Sequence, residues 1–81
     1  MSDNELLATL GAALRAARTE HGLSRAEVAA RMGANANTVA AVEHGRGDPR
    51  LSTLLRIAEA IGVELRVGVG PPAPAGRAGS P

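Results

Sequence analysis

The sequence predicts an all-α domain, a compact bundle of four or five helices that is followed by one short strand. Between residues 4 and 61, apolar residues recur every three or four positions, which is the spacing of one face of an α-helix. Glycine interrupts this pattern at four places where a helix would end. These glycines are Gly22, Gly33, Gly45 and Gly62. Only residues 63–69 alternate apolar and polar side chains, as a half-buried strand does.

Length and composition restrict the class of protein. The 81 residues allow a single domain, and they include no cysteine and no aromatic residue. A disulfide framework and a cysteine zinc site are therefore excluded, and base stacking on aromatic side chains is not expected. No apolar run approaches the roughly 20 residues that span a bilayer, and the N-terminus lacks the basic region of a secretory signal. We therefore expect a cytoplasmic protein with no membrane partner.

The formal net charge is only +1, and all nine basic residues are arginine. A protein that binds nucleic acid without regard to sequence needs a stronger positive field than this. Any binding to DNA is therefore expected to depend on specific contacts.

The first helix is predicted over residues 4–20. Ser2 or Asp3 can cap its N-terminus, and Gly22 is expected to end it in a left-handed conformation. Helical spacing predicts one apolar stripe, formed by Leu6, Leu10, Ala13, Leu14 and Ala17. Arg18 is expected to lie largely outside this stripe.

The next two helices have clear start and stop signals. The second helix begins with a capping box, in which Ser24 and Glu27 can each bind the other's backbone N–H group. Gly33 ends this helix, because the chain must reverse there and glycine adopts positive φ at little cost. Asn35 is a favourable N-cap for a third helix over residues 36–44.

The second and third helices have the spacing of a helix-turn-helix unit. Ala29 supplies the small side chain that two helices crossing at a steep angle require. Val39 and Val42 are three residues apart, so both can face Ala29 from one side of the third helix. A helix-turn-helix places its second helix in the major groove of DNA.

Ser52 is expected to cap a fourth helix that ends at Ile61. A lone strand at residues 63–69 would leave its backbone groups unpaired, and its simplest partner is the same strand of a second copy across a two-fold axis. The apolar residues of this dimer strand would be Val63, Leu65 and Val67. The alternative is a short extended tail that packs on its own helices. The domain would then comprise residues 1–69, and the Pro/Gly-rich residues 70–81 are predicted to be disordered.

From Leu10 to Ile61 the chain resembles the lambda-repressor-like helix-turn-helix family, also called the XRE or Cro/C1 type. The resemblance lies in the stretches LGAALRAARTEHGLSRAEVAARMG, NTVAAVEHGRGDP and LLRIAEAIGVEL. It implies a bundle of four or five helices that is usually dimeric on DNA and acts most often as a repressor. The strand after the last helix is similar to that of antitoxins that pair with HipA-type kinase toxins.

This resemblance also implies roles for individual residues. Base contacts are implied for four outer positions of the third helix, Ala36, Asn37, Ala40 and Ala41, and a contact to a base or a phosphate is implied for the Thr38 hydroxyl. Phosphate contacts are implied for Arg25, Asn35, Arg46 and Arg50. The family has glutamine at the position of Arg25. Three of the four outer positions of the third helix are alanine in this sequence, so Asn37 is the one good hydrogen-bonding contact to a base, and its amide is suited to adenine. A buried ion pair between Arg18 and Glu43 is implied as a structural link.

Together these features favour a homodimeric, sequence-specific regulator that binds double-stranded DNA and represses its own operon. The alternative is an antitoxin or adaptor that mainly binds a protein partner such as a toxin, because the recognition surface is rich in alanine and the net charge is low. The sequence contains no catalytic pair or triad, and His21 and His44 lack the spacing of metal ligands. No enzyme activity, metal or cofactor is therefore expected.

Overall fold

The computed structural model describes residues 2–71 and consists of four α-helices over that range, which agrees with the predicted all-α class. The helices are α1 (Asp3–Glu20), α2 (Arg25–Met32), α3 (Ala36–Glu43) and α4 (Leu51–Ile61). Among residues 2–71, no helix is both long and apolar enough to cross a bilayer.

One hydrophobic core holds the four helices together. Helix α2 packs against α3 and α4, and α1 packs against the same two helices. The core side chains are Leu14, Val28, Ala29, Met32, Val39, Val42, Leu54, Ile57, Ala58 and Ile61. Val28, Val39 and Ile57 are completely buried, so the predicted contact between the inner faces of α2 and α3 lies at the centre of the domain.

Three of the helix starts follow the predicted capping chemistry. The Ser2 hydroxyl accepts the Glu5 N–H in α1, and the Ser24 hydroxyl accepts the Glu27 N–H in α2. The Glu27 carboxylate in turn accepts the Ser24 N–H, which completes the capping box and holds the pKa of Glu27 below its ordinary value. Asn35 caps α3 in the same way.

The prediction that Ser52 caps α4 is wrong. The helix begins at Leu51, and its N-cap is Arg50, whose side chain forms no capping hydrogen bond. The Arg50 carbonyl accepts the N–H groups of Thr53 and Leu54, so the helical ladder already includes Ser52. The first turn of α4 consequently lacks the side-chain acceptor that the other three helices have.

The apolar stripe predicted for α1 is only partly buried. Leu6 is 55% exposed and Ala13 is exposed, whereas Gly11, Leu14 and Arg18 are buried. The buried residues are spaced by three and four, so they form a single face that includes a charged group and a glycine. The predicted stripe is therefore confirmed at Leu10, Leu14 and Ala17, which lie in the core or pack against it. It is wrong at Leu6 and Ala13, and the expectation that Arg18 lies outside the buried face is also wrong.

Glycines allow α1 to approach α3 very closely. A Cβ at Gly11 would lie 2.8 Å from the carbonyl oxygen of Glu43 and closer still to that of Val42. Gly45, which follows α3 with a φ of +68°, lies against the backbone of Ala8. The C-terminal end of α3 is therefore in backbone contact with α1.

No strand is present in residues 63–71 as the structure describes them, so the predicted dimer strand is not observed. Val63 and Leu65 are half-buried and pack against the core of their own chain, whereas Val67 is 59% exposed. At Val63 and Leu65 the arrangement is that of the alternative, a tail packed on its own helices. Residues 72–81 of the predicted disordered tail lie outside the described residues.

Candidate nucleic-acid interface

A tight turn sets the relation between α2 and α3. Gly33 adopts the predicted left-handed conformation, with φ of +69° and ψ of 29°. The Ala34 N–H reaches back to the Ala29 carbonyl at 2.9 Å, which closes the end of α2. Asn35 then starts α3, whose Val39 and Val42 are buried against the core. Burial of this inner face leaves the opposite face of α3 at the surface.

The outer face of α3 is mostly a surface of small side chains. Asn37 is exposed, and the residues around it, Ala36, Thr38, Ala40 and Ala41, are half-buried. An asparagine amide can both donate and accept, which is the pairing that the major-groove edge of adenine offers. Alanine methyl groups can contact thymine methyl groups, so this face combines one polar group with an apolar surround.

The side chains of Asn35 and Thr38 are bound to each other. Asn35 Oδ1 accepts the Thr38 N–H at 3.1 Å and the Thr38 hydroxyl at 3.4 Å. The oxygen of Asn35 is thus occupied by its role as a helix cap, and its amide nitrogen is the atom suited to a phosphate.

A groove of about 400 Å³ lies between α3 and the loop that leads to α4. It is lined by Thr38, Ala41, Val42, Arg46, Asp48, Pro49, Arg50 and Thr53. Two of the predicted phosphate-binding residues, Arg46 and Arg50, therefore lie beside two of the predicted base-contacting residues. Arg25, Asn35, Ala36 and Asn37 do not line this groove.

Arg18 and Glu43 form a buried ion pair between α1 and the last residue of α3. Arg18 Nε donates to Glu43 Oε2 at 2.6 Å, and Arg18 Nη2 donates to Glu43 Oε1 at 3.0 Å. Arg18 Nη1 donates to the Leu23 carbonyl at 2.9 Å. The Glu43 side chain is completely buried and that of Arg18 is 10% exposed, so the pair is part of the interior.

Arg25 also binds Glu43, a contact that the sequence did not reveal. Its Nε donates to Glu43 Oε1 at 3.0 Å, and its side chain is 32% exposed. The two residues are 18 positions apart in different helices, and no local spacing rule joins such residues. The N-terminus of α2 is thereby tied to the C-terminus of α3.

The two arginines keep Glu43 ionised. Burial on its own would raise the pKa of the Glu43 carboxyl, but hydrogen bonds from Arg18 and then Arg25 outweigh it, so the pKa lies below its ordinary value. The hydrogen bond to Glu43 raises the pKa of Arg18, although burial on its own would lower it. The buried pair therefore remains charged near neutral pH.

Comparison with known proteins shows the family to which this arrangement of helices belongs. The family model described as Helix-turn-helix matches residues 14–67, which include α2, the turn, α3 and α4. The chain belongs to the helix-turn-helix family. The resemblance to the XRE type is thereby confirmed, and the members found by comparison are regulators and antitoxins.

A solved structure shares the fold of this helix-turn-helix protein. It is the restriction-modification controller protein C.AhdI from Aeromonas hydrophila, which matches with a TM-score of 0.72 and 31% identity. The match covers 79% of this chain and 93% of C.AhdI.

A curated relative is an antitoxin. This helix-turn-helix protein is 43% identical over 67 residues to antitoxin HigA1 of Mycobacterium tuberculosis, in both the CDC 1551 / Oshkosh and the H37Rv strains. The match covers 83% of this chain but only 45% of HigA1, so the chain spans less than half the length of this relative. The similarity of residues 63–69 to antitoxins of HipA-type toxins stays a prediction.

Proposed function

We propose that this protein is a sequence-specific regulator of transcription that binds double-stranded DNA as a homodimer and represses its own operon. The observation that supports this proposal most is the outer face of α3, which carries the exposed Asn37 and borders a groove lined by Arg46 and Arg50. The membership of this chain in the helix-turn-helix family and its similarity to a controller protein agree with this role.

In this proposal α3 enters the major groove. The Asn37 amide contacts an adenine, the methyl groups of Ala36 and Ala41 contact thymine methyl groups, and Thr38 contacts a base or a phosphate. The phosphate contacts come from Arg25, Asn35, Arg46 and Arg50. These phosphate contacts fix the register of the helix, and the contacts to bases determine the sequence preference.

A second copy compensates for the low charge of one copy. Two copies would bind half-sites about one helical turn apart, roughly 34 Å. Within residues 63–71, only the Val63 N–H forms a backbone hydrogen bond in the described chain, and Val67 and Val69 are exposed. In the proposed dimer these exposed valines are where a second copy would pack, while Val63 and Leu65 remain on their own core.

A mobility-shift measurement tests this function. The DNA directly upstream of the gene would be compared with a random duplex at about 50 and 200 mM salt, since nonspecific binding falls steeply with salt. Tight binding to the upstream DNA that persists at the higher salt is expected. Weak binding to both duplexes that disappears at the higher salt would contradict the proposal.

The second candidate function is that of an antitoxin or adaptor that mainly binds a protein. The identity with HigA1 favours it, as does a recognition face that is largely alanine. Co-purification of this chain with the product of an adjacent toxin-like gene, together with the weak DNA binding just described, would favour this function over the first.

Asn37→Ala and Arg46→Ala are expected to weaken DNA binding in different ways. Loss of the Asn37 amide should reduce discrimination between operator and random DNA by about 1–3 kcal/mol. Loss of Arg46 should weaken binding to both duplexes alike and lower the salt slope by about one. Titrations of both duplexes over a range of salt would measure these effects, and an equal loss on both duplexes for Asn37→Ala would falsify its role as a base contact.

Arg50→Ser is expected to stabilise the fold while it weakens DNA binding. Serine would supply the capping acceptor that α4 lacks, which should add about 1 kcal/mol to the free energy of unfolding. It would also remove a phosphate contact from the groove. Thermal unfolding and DNA titration would measure the two effects. Arg50→Ala is the matched control, because it removes the contact without adding a cap. Undiminished affinity in both variants would exclude Arg50 from the interface.

A further inference from the structure

Arg25 has one edge of its guanidinium group bound to protein and the other edge open. Its Nε donates to Glu43 Oε1, and within residues 2–71 this is the hydrogen bond that its side chain forms. Its terminal nitrogens, Nη1 and Nη2, therefore remain available. The side chain is about one-third exposed, so these two donors can reach a ligand at the surface.

Glu43 is a rigid partner for Arg25. Its carboxylate is completely buried and accepts three hydrogen bonds, two from Arg18 and one from Arg25. Arg18 is itself held by the Leu23 carbonyl, so the carboxylate cannot turn away without breaking buried contacts. The position of the Arg25 guanidinium is consequently fixed from the interior of the domain.

We propose that Glu43 is a positioning residue for DNA binding, which orients Arg25 so that Nη1 and Nη2 together bind one backbone phosphate. The inference rests on the proposed function. A guanidinium can bind phosphate oxygens through two parallel N–H bonds, and such pairs depend on orientation. Because Glu43 orders the long side chain before DNA arrives, less conformational entropy is lost on binding.

The negative charge of Glu43 opposes its positioning effect. Arg18, Arg25 and Glu43 carry a combined charge of +1 (two arginines and one carboxylate), and neutralising Glu43 would by itself increase the attraction to DNA. A single substitution of Glu43 therefore has two opposite effects on DNA binding: Arg25 loses its orientation, and the protein becomes more positive by one charge. A double-mutant cycle separates the two, because the gain of charge is present in both backgrounds while the loss of orientation requires Arg25.

The cycle compares four full-length proteins: wild type, Arg25→Ala, Glu43→Gln and the double variant. Dissociation constants would be measured on upstream and random DNA at about 50 mM salt, where phosphate contacts contribute most. Glu43→Gln changes the dissociation constant by some factor in each background. We expect this factor to be about fivefold less favourable to binding in the wild-type background than in the Arg25→Ala background, on both duplexes. Equal changes in the two backgrounds would overturn the inference.

A second variant keeps the buried pair intact if Glu43→Gln does not fold. Arg25→Lys retains the charge but cannot bind Glu43 and two phosphate oxygens in the same fork, so about a fivefold loss of affinity is expected on both duplexes. Arg15→Lys, at an exposed arginine of α1, is the matched control and should change neither affinity. Unchanged binding by Arg25→Lys would overturn the inference.

Failure of the inference differs from failure of the proposed function. A wild-type protein that binds upstream DNA specifically, with no coupling between Arg25 and Glu43, would refute only the positioning role. A folded wild-type protein that binds neither duplex would refute both.

Discussion

Replacing Gly11 with alanine is expected to destabilise the domain severely, although alanine is the better helix former. At an exposed helix position the same change stabilises by about 0.5–1 kcal/mol. At Gly11 the new Cβ would overlap the carbonyl oxygens of Val42 and Glu43, which are backbone atoms and cannot rotate away. We expect the free energy of unfolding to fall by about 3 kcal/mol or more, the upper part of the range for overpacked interiors.

Urea unfolding followed by circular dichroism would measure this loss. A decrease of that size lowers the Tm of a small domain by roughly 10–20 °C. Gly68→Ala is the control, because a Cβ there meets no atom within 4 Å. A Gly11→Ala protein as stable as the wild type would mean that α1 and α3 are farther apart than the structure places them.

Removing either partner of the Arg18–Glu43 pair is expected to have a similarly large effect. Arg18→Ala leaves a buried carboxylate with one remaining partner, and Glu43→Ala leaves a buried guanidinium without a counter-charge. Breaking a buried pair in this way costs about 3–5 kcal/mol. The exposed pair of Arg66 and Glu64 is the control, and Arg66→Ala should leave the unfolding midpoint unchanged. A small loss for both Arg18→Ala and Glu43→Ala would contradict the burial of the pair.

The same pair should make the fold sensitive to acid. The pKa of Glu43 is lower in the folded protein than in the unfolded chain, where it returns to about 4.5. The stabilisation is therefore complete above that pH and is lost as the pH falls through the lower folded value. Unfolding midpoints measured between about pH 3 and pH 7, a range set around the ordinary carboxyl pKa, should fall at the acid end. The decrease should be smaller in a double variant, Arg18→Met with Glu43→Leu.

Much of the fold followed from local signals. The capping box at Ser24, the cap at Asn35 and the left-handed Gly33 are each determined by a few neighbouring residues, and the structure contains all three. The alanine-rich outer face of α3 followed from the same periodicity. These features depend on backbone chemistry that acts within one turn of a helix.

The features that sequence analysis missed depend on distant parts of the chain. Apolar character predicts that Leu6 belongs to the buried stripe of α1, but the buried face of this helix depends on Gly11, which fits the backbone of α3, and on the partner of Arg18. The binding of Arg25 to Glu43 likewise joins two helices across the domain. The alternation at residues 63–69 indicated an extended segment but could not tell whether its partner is a strand or the chain's own helices.

The close contacts between α3 and α1 are concentrated at the C-terminal end of α3. Val42, Glu43 and Gly45 lock the C-terminal end of the helix to α1, while Ala36 and Asn37 occupy the first turn. Mutations in that first turn can therefore accumulate with little penalty in stability. Under the proposed function, new operator preferences would be accessible by exchanging a few residues of this first turn, and duplicated copies of this gene would be able to diverge in specificity on an unchanged scaffold.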